Sequence, residues 1–76
     1  MRIVDGYILN YFRAFVGWYA TDAIQEACTK YDLHDGPNGF EVRTLKPGEP
    51  FTTEYKPNRI NLNTDYVGKI VDIAIG

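Results

Sequence analysis

Residues 46–58 read KPGEPFTTEYKPN, between two short segments of alternating character, residues 40–45 (FEVRTL) and residues 59–63 (RINLN). In the first segment Phe40 and Val42, with Leu45, face one side and Glu41 and Arg43 the other. In the second, Ile60 and Leu62 point inward. Alternation of this kind predicts strands. The stretch between them holds three of the four prolines and a glycine, is too long for a tight hairpin, and is not of low complexity. In a compact domain a loop of that length is usually functional. A long crossover also points to two strands lying parallel, with a helix on one face.

Outward from this loop the rest of the fold follows. Residues 63–68 read as a turn and residues 69–75, apolar and β-branched, as a closing strand. Upstream, residues 32–39 (DLHDGPNG) are dense in turn formers. Before them Thr21 is placed to cap a helix, with Asp22 in the first turn where the dipole favours a negative charge. Its apolar face would be Ala23, Ile24, Ala27, Cys28 and Tyr31, with Gln25, Glu26, Thr29 and Lys30 opposite. Residues 3–19 place apolar groups at Ile3, Val4, Tyr7, Ile8, Tyr11, Phe12, Phe15, Val16 and Tyr19, at helical spacing. They predict an amphipathic helix over residues 4–14, with a strand as the competing reading, ended by Gly17. The expected fold is α+β: a small sheet whose central parallel strand pair flanks a long exposed loop, one main helix packed on the sheet, and an N-terminal amphipathic segment.

The chain of 76 residues forms a single domain, with residues 1–14 as an N-terminal extension and 46–58 as a loop. It is 45% hydrophobic and 24% charged, which excludes disorder. Eight basic residues scattered among ten acidic ones, for a net charge of −2, make no nucleic-acid footprint. No apolar stretch is long enough to span a bilayer, and no secretory signal opens the chain. The compartment stays open: cytoplasmic, or secreted with the signal removed. One cysteine, Cys28, permits no internal disulfide, and its place on the expected helix face predicts a buried structural thiol. His34 beside Asp35 reads as solvated. A lone His and a lone Cys do not make a metal site, and neither paired catalytic acids nor a phosphate loop stand out, so neither an enzyme nor a cofactor is expected. The N-terminal aromatic stripe serves as extra core or, if Tyr7, Tyr11 and Phe12 stand exposed, as a patch that pairs two copies into a homodimer.

The order of features from Phe15 onward resembles the potato inhibitor I family of eglin and barley chymotrypsin inhibitor type, and is most similar to its fungal and bacterial elastase-inhibitor relatives. The matching stretches are Phe15-Val16-Gly17, Thr21, Val42-Arg43, Pro47-Gly48, the block Phe51-Thr52-Thr53-Glu54-Tyr55-Lys56-Pro57-Asn58-Arg59-Ile60-Asn61-Leu62, and Gly76. Asn61 departs from eglin-like members, which carry a second arginine there. Thr53 departs from relatives with a larger apolar residue. The resemblance implies a reversible, substrate-like serine-protease inhibitor. Its reactive bond would be Thr53-Glu54, with Pro50, Phe51, Thr52, Tyr55 and Lys56 touching the protease and Arg59, Asn61 and Gly76 supporting the loop. It further implies that Arg59 donates to the Glu54 carboxylate and the Thr52 hydroxyl, and that the Gly76 carboxylate approaches the same arginine.

Such a loop adds to the enzyme as a strand and must be stiff beforehand, because each side chain immobilised on binding costs about 0.5–1.5 kcal/mol. Pro47, Pro50 and Pro57 fix backbone angles, and Arg59 and Asn61 alternate with the inward Ile60 and Leu62. Thr53, small and uncharged, suits a shallow subtilisin-like or elastase-like pocket and would leave the aspartate of a trypsin pocket unpaired. Pro57 makes Lys56-Pro57 a poor alternative scissile bond. Outside its motif Arg59 reads as an ordinary surface arginine. The alternative function is a non-inhibitory interaction or structural domain on the same scaffold.

Overall fold

The computed structural model describes residues 2–34, 38–50 and 54–76. Among them run helix α1 (Gly6–Arg13), helix α2 (Ala20–Cys28) and strands β1 (Glu41–Leu45), β2 (Arg59–Thr64) and β3 (Ile70–Ile75). The fold is α+β, two helices followed by a three-stranded mixed sheet.

The N-terminal segment is helical, but shorter than its apolar spacing predicts. Val4 lies ahead of the helix, where its N–H donates to the Pro57 carbonyl at 2.9 Å. Asp5 is the cap, its carboxylate accepting from the Ile8 N–H at 2.9 Å. The helix stops at Arg13, ahead of Gly17. That glycine, at φ 93°, instead turns the chain onto the sheet, where its N–H donates to the Ile70 carbonyl at 2.8 Å. The Ile70 N–H returns a bond to the Trp18 carbonyl at 2.8 Å, so residues 17–18 cover the start of the outer edge of β3.

Thr21 is not the cap of α2. Tyr19 holds that position without a side-chain bond, and the N–H of Ala20 is satisfied instead by the Gly68 carbonyl at 2.9 Å. A tertiary bond from the β2–β3 turn thus does what a capping hydroxyl would do. The buried face of α2 is Ala20, Ala23 and Ala27, with Ile24 half-buried. Cys28 is exposed, not a buried structural thiol. The buried line i, i+3, i+7 starts at Ala20 rather than Ala23, which turns Cys28 off the packed face.

In the sheet β2 is central. It pairs parallel with β1, setting Val42 against Ile60 and Arg43 against Asn61, and antiparallel with β3, setting Leu62 against Ile73. The parallel pair expected from the long crossover is present. Ile60 and Leu62 are fully buried and share the core with Phe40, Ile70, Ile73 and the apolar side of both helices. The aromatic stripe of the N-terminal segment is spent largely on that core. Phe12 and Phe15 are buried, and Phe12 meets Phe40 edge-on at 5.8 Å. Tyr11 lies half-buried against Phe12, Phe15 and Tyr31, leaving Tyr7 at 87% exposure. The three-residue exposed patch of Tyr7, Tyr11 and Phe12 therefore does not form, because Phe12 points inward.

Candidate functional site

Side chains on the face of β2 away from the core are ordinarily solvated in a sheet covered on one side. Here they are not: Arg59 is 3% exposed and Asn61 8%. A guanidinium this sheltered must be hydrogen-bonded, since an unpaired buried charge costs several kcal/mol. Arg59 Nε donates to the Gly76 main-chain oxygen at 2.7 Å, and Nη2 donates to the Glu54 carbonyl at 2.9 Å. The Gly76 N–H donates back to the Arg59 carbonyl at 3.0 Å. Arg59 thereby joins the end of the sheet to residue 54 above it. Its planar fork reaches two acceptors at once, which a lysine could not do with the same rigidity.

Gly76 sits under the Tyr55 ring with a φ of 149°. A Cβ there would lie 3.4 Å from Tyr55 Cδ2 and 3.5 Å from Asn61 Nδ2, ordinary contact, so backbone conformation rather than space favours glycine. Beside it Asn61 Oδ1 accepts from Arg43 Nε at 2.9 Å, across the parallel strand pair. Arg43 and Arg59 line a cleft together with Glu41, Glu49 and Pro50.

The carboxyl-terminal root of the loop is anchored by three consecutive carbonyls. Lys56 accepts from the Arg59 N–H at 3.2 Å, Pro57 from Val4 at 2.9 Å, and Asn58 from Glu41 at 2.8 Å. On the other arm, Pro47-Gly48 forms a turn with Gly48 at φ 79°, closed by a bond from the Glu49 N–H to the Lys46 carbonyl at 3.2 Å. Lys56 also carries an ion pair, its Nζ lying 3.2 Å from Glu41 Oε2 and 3.9 Å from Glu54 Oε1.

Arg59, Asn61 and Gly76 are thus brought together in one buried group. Pro50, Glu54 and Tyr55 are exposed, and Lys56 is half-buried. Phe51, Thr52 and Thr53 lie outside the described residues. The bond from Arg59 to residue 54 differs from the expected one: the acceptor is the Glu54 main-chain carbonyl, while the carboxylate turns toward Lys56. Sequence reasoning missed Arg43 and Glu41. Their alternation with Val42 put them on the polar face, but only the strand register tells that Arg43 stands opposite Asn61. No buried side-chain nitrogen or oxygen among the described residues lacks a hydrogen-bond partner.

The family model of the peptidase inhibitor I78 family matches residues 13–76, from the end of α1 through the loop, the arginine beneath it and Gly76. The chain belongs to the peptidase inhibitor I78 family. Membership makes it an inhibitor of a peptidase and not an enzyme. The family shown is not potato inhibitor I itself, the one the loop-to-strand block resembles. What the resemblance and the I78 match share is the class of molecule, a peptidase inhibitor. No curated protein matches the chain. Most of α1 lies before the matched I78 region, although Ile8 and Phe12 from it are in the core.

Proposed function

We propose that the chain inhibits a serine protease as a substrate would, in the manner of potato inhibitor I proteins, presenting residues 50–56 with Thr53-Glu54 as the reactive bond. The observation that carries this reading is the buried Arg59, which grips the Glu54 carbonyl at 2.9 Å while anchored to Gly76 at 2.7 Å. A residue so held stays in place when the bond before it is cut. The serine oxygen bonds to the Thr53 carbonyl carbon, the bond to the Glu54 nitrogen breaks, and the proton passes to that amine. The amine remains beside the ester, attacks it and restores the bond, and the proton returns to the serine. Slow net hydrolysis follows from holding the leaving group, a matter of proximity.

Exposure of Pro50, Glu54 and Tyr55 supports their role in touching the enzyme, and Asn61 and Gly76 complete the support. Thr53 assigns the target to a subtilisin-like or elastase-like protease with a shallow apolar pocket. A homodimer through the N-terminal stripe is disfavoured, since Phe12 and Phe15 are occupied in the core. The test is titration of subtilisin, elastase and trypsin with the protein. Tight inhibition of the first or second, with a single slow cut after Thr53, is expected. Tight binding of trypsin alone would refute the assignment.

A further inference from the structure

The ion pair of Lys56 with Glu41 stands apart from the arginine beneath the loop and restrains a different point. Arg59 holds residue 54 by its carbonyl. The next main-chain tie is at the Lys56 carbonyl, which accepts from the Arg59 N–H at 3.2 Å. Two residues on from Glu54, the Lys56 side chain adds a further attachment, with Nζ 3.2 Å from Glu41 Oε2 and 3.9 Å from Glu54 Oε1. Glu41 is a firm anchor. It opens β1 opposite Arg59, and its own N–H donates to the Asn58 carbonyl at 2.8 Å. Both side chains of the pair are 32% exposed, so solvent weakens the pair without abolishing it.

We infer that Lys56 is a positioning residue acting through Glu41, rather than a residue that touches the protease. It holds the arm that carries the new Glu54 amine after cleavage, so that resealing outruns release. The inference rests on Thr53-Glu54 being the reactive bond, and the test is built to separate the two. Four proteins suffice: the parent, Glu41→Gln, Lys56→Met and the double variant, each assayed with subtilisin for its inhibition constant and for its own hydrolysis after Thr53. For a partly exposed pair each single change is expected to speed hydrolysis about two- to fivefold. The double variant should do no more than either single, and Lys56→Arg should retain the parent rate. If Lys56→Met weakens inhibition as much in the Glu41→Gln background as in the parent, Lys56 contacts the enzyme and the inference falls. Where the parent is cut after Thr53, a parent-like hydrolysis rate in Glu41→Gln also overturns it. Backbone order parameters at Glu54 and Tyr55, measured without protease, give an independent reading. They should drop in Glu41→Gln even if the reactive bond proves to lie elsewhere, and unchanged values would overturn the inference whatever the inhibition data say.

Discussion

Replacing Arg59 with alanine removes both donors that join residue 54 to Gly76. A hydrogen bond from a charged donor contributes about 1.5–3 kcal/mol. The two share one side chain and are not additive, so about 3 kcal/mol is expected for the pair. Net stability for 76 residues is about 4–11 kcal/mol. The variant should therefore fold, with a melting temperature about 12–24 °C lower. The same 3 kcal/mol, taken from the restraint on the leaving amine, corresponds to about a hundredfold faster net hydrolysis after Thr53. The assay incubates variant and parent with a catalytic amount of subtilisin, well below the variant's melting range as checked by circular dichroism, and follows the intact chain by mass spectrometry. Arg59→Lys keeps the charge but not the fork and should fall between the two. A folded Arg59→Ala protein that inhibits as tightly as the parent and survives as long would refute the bracing argument.

Three further outcomes follow from the fold. Phe12→Ala, in a fully buried position against Phe15 and Phe40, should cost about 3–5 kcal/mol in urea unfolding, whereas Tyr7→Ala on the exposed side should stay within about 0.5 kcal/mol. Cys28 should react with a thiol reagent in native buffer as fast as a small free thiol, and protection until denaturant is added would contradict its exposed position. Partial burial raises the pKa of the Tyr11 phenol above its ordinary 10.0, with the Glu26 charge and neighbouring Tyr31 adding to it. The unfolded chain releases that proton first, so stability should fall as pH rises from 10.0 through the higher folded value, with no contribution below. Urea midpoints across this range should decline less steeply in Tyr11→Phe.

Much of this was legible in the sequence, for physical reasons. Ile60 and Leu62 alternate with Arg59 and Asn61, and a period of two assigns faces whatever the neighbours are. The parallel pairing of β1 with β2 was readable because so long a proline-rich connection cannot be a tight hairpin. Less legible was whatever depends on register or on contacts between distant segments. Thr21 looked like a cap, but Gly68 already serves the first N–H of α2. Cys28 looked buried because a helical stripe read from sequence has an uncertainty of one residue in phase. Both the Lys56 tie to Glu41 and the Arg43 bond to Asn61 needed the strand register. The class of molecule was readable from the loop-to-strand block, while the family proved to be another.

The bond from the Val4 N–H to the Pro57 carbonyl has a practical consequence for engineering. The foundation of the loop is laid partly by residues upstream of the shared family region, which begins at residue 13. Grafting a foreign specificity segment onto this scaffold would therefore have to preserve the carbonyl at 57 and the leading residues that reach it. A graft trimmed to the common region would stand on a footing with one of its three main-chain ties removed.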